Sequence, residues 1–249
     1  HPTADKSARS ADLLNTEEVS VMIKVRVKFS KHGPVKYVGH LDMMRYFQKA
    51  IRRAGIDIAY SEGYSPHMIM SFASPLGVGM ESDAEYFDMQ LSSYIEPKEA
   101  LKLLNGQMAE GVEVLAFCYL PKNAKKSMTL TAATDYTAEF REGYDLPCAY
   151  AELGSKIEEF MAQKEINVLK KTKKSELLTD IKPMIYSLCA DGKKMKMTLA
   201  TGSANNLNVK LLLETFYKFC GKEFELCGVQ ITRSEVYMEG GCGLEPLCG

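Results

Sequence analysis

Residues 23–30 alternate between apolar and polar. Ile23, Val25, Val27 and Phe29 fall on one side, and Lys24, Arg26, Lys28 and Ser30 on the other. A period of two predicts a half-buried strand with a basic outer face. The period then changes. Leu41, Met44, Phe47, Ile51 and Ala54 recur at helical spacing, with Asp42 near the positive helix start and Gly55 at its end. Two short strand candidates follow, "IDIAY" and "HMIMSFAS", and "AEYFDMQLS" alternates again. A helix is predicted over "EPKEALKLLNGQM", with proline near its start and Gly106 near its end, and a strand over "VEVLAFCYL". The order is β-α-β-β-β-α-β, close to a ferredoxin-like unit of an antiparallel sheet with two helices on one face.

The second half repeats this rhythm. "MTLTAATDYTAEFRE" is a long alternating strand, and "CAYAELGSKIEEFMAQ" a helix burying Leu153, Ile157, Phe160 and Met161. "INVLKK", "ELLTDIKPMIYSLCA" and "KKMKMTLAT" read as strands, "NVKLLLETFYKFCG" as a helix and "VQITRSEVYME" as the closing strand. The expected fold is therefore α+β, with two ferredoxin-like units in tandem. Residues 22–120 form the first and 128–239 the second, joined by a linker at 121–127. Residues 1–21 are polar and aperiodic and read as a flexible leader, and residues 240–249 as a Gly/Cys tail.

Of the 249 residues, 46% are hydrophobic and 25% charged, which are globular values. No apolar run approaches the roughly 20 residues of a membrane span, and the chain is expected to be cytoplasmic. Seven cysteines without a CxxC spacing argue for free, buried thiols over a disulfide framework. Cys242 and Cys248 in the tail would need further ligands, such as Cys220 and Cys227, to hold a metal. There is no CxxxCxxC and no GxxxxGK[ST]. Gly77 and Gly79 form a GxG that lacks the spacing of a dinucleotide site. No cofactor or metal is expected.

Charge changes the picture. The formal net charge is only -1, yet residues 22–53 hold nine basic residues against Asp42 alone, a local +8. Such a cluster is an electrostatic footprint for a polyanion. Arg45, Lys49 and Arg52 step along one helix face beside Arg53, and arginine's planar fork suits phosphate. With Lys28 they form the expected nucleic-acid surface. Lys171, Lys173 and Lys174 of "LKKTKK" would extend it. In "GYSPH", Gly63 and Pro66 set a turn that presents Tyr64 for stacking and His67 for bonding an unpaired base. His40, after Gly39, begins the Arg-rich helix. Glu81, Asp83 and Glu85 are acids that could answer Arg45 or Arg52.

The blocks "GHLD…R…RR", "GYSPH" and "PLGVGMESDAE" carry Gly39, His40, Asp42, Gly63, Pro66, Gly77, Gly79, Glu81 and Glu85 in order. With "KKSELLTDIKPMI" further on, they resemble the bacterial radical SAM-linked protein family over roughly residues 22–235. The chain departs from that pattern at "SANNLNV". The resemblance implies a radical SAM protein as partner and, through neighbouring genes, points toward RNA or ribosome maturation. It brings no catalytic residue with it. The expectation is a non-catalytic accessory module that binds RNA, tRNA or rRNA, and no membrane. Two alternatives stand beside it. One is a protein-interaction domain docking on the radical SAM partner. The other is a metal-independent endoribonuclease using His40 or His67 as acid/base.

Overall fold

A computed structural model of the chain describes residues 22–171, 176–202 and 205–248. The expected leader at 1–21, together with Lys173 and Lys174, lies outside the described residues.

The first half runs β1 (Ile23–Lys31), α1 (His40–Arg53), β2 (Met70–Phe72), β3 (Glu81–Leu91), α2 (Pro97–Asn105) and β4 (Val112–Tyr119). The second half runs α3 (Ser127–Leu130), β5 (Thr131–Phe140), α4 (Leu153–Ala162), β6 (Asn167–Lys171), β7 (Glu176–Asp180), β8 (Ile185–Asp191), β9 (Lys194–Ala200), α5 (Val209–Phe219), β10 (Val229–Gly240) and β11 (Gly243–Pro246). The fold is α+β, and its sheet is mostly antiparallel.

Several local expectations change. "IDIAY" is not a strand; it makes single bridges only, Ile58 to Leu91 and Tyr60 to Met68. The apolar stripe of α1 is rotated, because Met43, Phe47, Ala50 and Ile51 are buried while Leu41 is 60% exposed. Several spacings could be laid through a helix with that many apolar residues, and packing on the sheet selects this one. "ELLTDIKPMIYSLCA" is broken at Pro183, which sits in a 3-10 turn over Lys182–Met184. Its first part pairs with β6 in a separate hairpin, and its second joins the main sheet as β8.

The two halves do not make two sheets. They share one, in the order β4-β1-β3-β10-β5-β9-β8, with β2 also on β3 and β11 also on β10. The junction is a short parallel pairing of β3 with β10, at Glu81 to Thr232 and Ser82 to Arg233. The expected linker is tied down as well. Ala124 O accepts from Lys24 Nζ, and Ser127 N donates to Asp88 Oδ2. The tail is β11 rather than a loose end, and Cys118 forms a disulfide with Cys248, so not all the thiols are free.

At the junction, strand alternation turns two charged side chains inward. Glu85 follows the face of Phe87 and Met89, and Arg233 that of Val229 and Ile231. They form an ion pair 2.5 Å apart, 7% and 1% exposed. Both Arg233 Nη atoms donate to Ser74 O at 3.0 Å. Lys31 completes the cluster, buried, with Nζ on Val38 O. Burial pushes the Lys31 ammonium below its ordinary value, Glu85 opposes that shift and Arg233 adds to it. For Arg233, burial works against the charge, but Glu85 holds the guanidinium above its usual value.

One carboxylate therefore answers two buried cations. Glu85→Gln should lower the unfolding free energy by about 3–5 kcal/mol in urea denaturation, as expected when a buried charge loses its partner. Replacing both partners (Glu85→Met with Arg233→Met) should recover much of that loss. A single variant within about 1 kcal/mol of the parent would show that the pair is not buried as described.

Candidate functional site

The sequence's basic cluster separates into two populations. The cations of β1 are spent inside the molecule. Arg26 Nε meets Asp88 Oδ1 at 2.7 Å, and its Nη1 donates to Leu247 O. Lys28, expected on the nucleic-acid surface, is instead bound to Glu235 at 2.6 Å with both side chains mostly covered. Tyr86 donates to the other oxygen of that carboxylate at 2.6 Å. Nearby, Tyr237 donates to Asp135 Oδ2 at 2.8 Å. The clean alternation of β1 suggests a basic outer face, but that face is covered, because β10 lies beside β3 and the tail pairs with β10 and reaches back to Arg26.

The cations of α1 are not spent in this way. Among the described residues Arg45 pairs only with Asp42, at the surface, and Arg53 donates to Gln107. Lys49 and Arg52 are exposed and have no ion-pair partner among the described residues. Glu81, Asp83 and Glu85 answer none of these cations. His32 lies against Glu81 (3.4 Å) and Asp83 (3.1 Å), Lys36 against Glu81 (3.3 Å), and Arg233 against Glu85. Burial raises the Glu81 pKa, but hydrogen bonds from His32, Lys36 and the Gly33 amide outweigh this and hold it below the ordinary value.

The two candidate histidines do not share a site. His40 packs edge-on against Phe72, 5.3 Å between ring centres. His67 is exposed at a hairpin, its Nδ1 2.8 Å from Ser61 Oγ. Neither faces a lysine or arginine among the described contacts. Tyr64 is fully exposed at the same hairpin tip, where Gly63 takes φ 107°. Of Lys171 only the backbone, at the end of β6, is described.

The "PLGVGMES" block is an inter-half plug. Leu76 and Met80 are buried in the core of the second half, with Ile231 and Leu213. Gly79, at φ 87°, donates its amide to Lys36 O. Beside this plug opens a cleft of about 490 Å³. Tyr37, Val78 and Met80 line it from the first half, and Arg141, Lys210 and Leu226 from the second. Arg141 Nη2 donates to Gln230 Oε1 at 2.7 Å, and Lys36 Nζ donates to the same oxygen. Arg141, Lys210, Tyr37 and Arg233 are not among the candidate site residues that charge clustering and turn motifs mark in the sequence. Only Arg233 left a readable signal, a charge in the inward register of an alternating strand. The cleft residues come together through the sheet junction, which no local pattern encodes.

A family model described as "Uncharacterized protein conserved in bacteria (DUF2344)" matches residues 24–209, so the chain belongs to that family. No curated protein matches it. Among the described residues no helix is long and apolar enough to cross a membrane.

The covered tyrosines make a checkable signature. Burial, together with the bond to the Asp135 carboxylate, pushes the Tyr237 phenol up to about 12. An ordinary tyrosine titrates near 10. The unfolded chain thus releases this proton first, and stability should fall as pH rises from about 10 to about 12. Tyrosinate absorbance should show late components, of which the one near pH 12 is lost in Tyr237→Phe. A variant that instead loses absorbance near pH 10 would contradict the bond.

Proposed function

We propose that this member of the bacterial family is a non-catalytic binding module that takes RNA along the outer face of α1. The observation that carries this reading is the division of the basic residues. Those of β1 are consumed by Asp88, Glu235 and backbone carbonyls, while Arg45, Lys49 and Arg52 stand exposed on the helix face away from the core. Exposed cations that the fold does not consume internally are what a phosphate backbone requires. The exposed Tyr64 ring offers a stacking surface of the kind that unpaired bases use. In this reading the module presents RNA to a separate catalyst, a radical SAM protein. We further read each half as a ferredoxin-like unit. Strand order supports this, since β4-β1-β3-β2 and β10-β5-β9-β8 follow the same pattern, the second with the β6–β7 hairpin inserted.

A second reading is a protein-docking domain. Tyr37, Leu41 and Val78 favour it, as large side chains more than half exposed at or near the start of α1 and on the plug. The endoribonuclease reading draws least support, because His40 packs on Phe72 and His67 bonds Ser61.

Fluorescence anisotropy with a single-stranded 12-mer RNA across a salt series tests the proposal. Affinity should fall steeply with salt. Replacing Arg45, Lys49 and Arg52 together by glutamine should flatten the log–log slope by about 2, given roughly 0.7 per phosphate contact on single strands. Binding that survives half-molar salt, or a slope unchanged in the triple variant, would overturn it. RNA cleaved without metal, and spared by His40→Ala or His67→Ala, would favour the nuclease instead.

A further inference from the structure

We infer that the cleft at the seam is a site for one unpaired nucleotide of the RNA, holding its base and a single phosphodiester. This rests on the RNA reading and adds a second, separate contact to it. The cleft, about 490 Å³, falls within the roughly 300–1,000 Å³ range of small-ligand sites, which favour boundaries between structural units. Its walls come from both halves, so it exists only because β3 and β10 are joined.

The lining divides by chemistry. Met80, Leu226, Val229 and Ile231 give an apolar floor. Tyr37 stands at the mouth, 63% exposed, with the Lys36 ammonium 5.6 Å from its ring centre. A flat base can lie against this ring and the soft Met80 thioether; an acyl chain would leave the ring unused. Arg141 is aimed by neutral acceptors only, Gln230 Oε1 and Cys227 O, and has no carboxylate partner among the described residues. Lys210 likewise has no ion pair there. Its amide is held by the Asn208 side chain at the first turn of α5. Glu225 is the one acid of the lining. Two cations against one carboxylate leave an excess of one charge, which matches a phosphodiester and falls short of a triphosphate. Among the described residues the Glu225 carboxylate has one contact, a long one of 3.9 Å from Cys227 Sγ. Its carboxylate can accept from the exocyclic amine of adenine or cytosine, which uracil lacks.

The probe is the dinucleoside monophosphate ApA, which carries one phosphodiester, added to the full chain with ¹³C-methyl-labelled methionine. ApA should shift the Met80 methyl signal, identified by its loss in Met80→Leu. UpU should bind several-fold more weakly. Arg141→Gln with Lys210→Gln should weaken ApA about tenfold or more, as when charged hydrogen bonds are lost. The α1 triple variant should bind ApA as the parent does. A Met80 signal that millimolar ApA leaves unmoved overturns the site while leaving the α1 reading intact. So does one moved instead by an acetylated dipeptide with a free carboxylate. ApA binding in a chain with no affinity for the 12-mer keeps the cleft and overturns the RNA-module reading. Equal binding of ApA by the Arg141/Lys210 variant, with an unchanged thermal melt, overturns the phosphate assignment.

Discussion

Glu85 and Arg233 meet where β3 lies parallel to β10, and nearly everything else depends on their meeting. The parallel pairing itself is short, two residue pairs. Backbone hydrogen bonds over that length could not by themselves fix two sizeable halves. The buried charges add what the ladder lacks, since a pair removed from water cannot part without exposing an uncompensated charge in a dry interior. The guanidinium also gathers the chain before the plug, through Ser74 O. That contact delivers Leu76 and Met80 to the core of the second half. With the Lys28–Glu235 and Tyr86–Glu235 bonds and the Cys118–Cys248 disulfide, this pair holds the sheet junction, and it alone among them ties in the chain before the plug.

The same junction explains why gross charge misleads here. The +8 of residues 22–53 looks like one basic patch in the sequence. Half of it belongs to a strand whose polar side faces Asp88, Glu235 and the tail. Lys28 serves the fold, while Lys49, with the same side chain, is left to solvent. What separates them is whether an acid comes within reach: Glu235 of β10 reaches Lys28 across β3, and among the described residues no acid pairs with Lys49. Helix α1 has its core stripe on one side and, among the described residues, only the Asp42 carboxylate to answer its cations on the other. Only the charge left after the internal pairs are subtracted is available to a partner.

Much of the architecture was legible in the sequence. Period-two alternation located β1, β3, β5 and β10, and helical spacing located α1, α2, α4 and α5, with Leu153, Ile157 and Phe160 inward as expected. These elements are written in local periodicity, which a single sequence displays. The rotated stripe of α1, the break at Pro183 and the reduction of "IDIAY" to bridges depend on packing against elements far along the chain. The joining of two sheets into one, and the pairing of Cys118 with Cys248, depend on the junction itself. The exposure of the α1 cations and Tyr64 was readable in the sequence from their polar or turn positions. The gathering of Arg141, Lys210 and Tyr37 around one cleft was not, since it arises only when the halves are brought edge to edge.

If the β3–β10 seam makes the two halves one cooperative body, differential scanning calorimetry of the protein should show a single transition, with calorimetric and van 't Hoff enthalpies in a ratio near one. Two resolved transitions, one for each half, would contradict it.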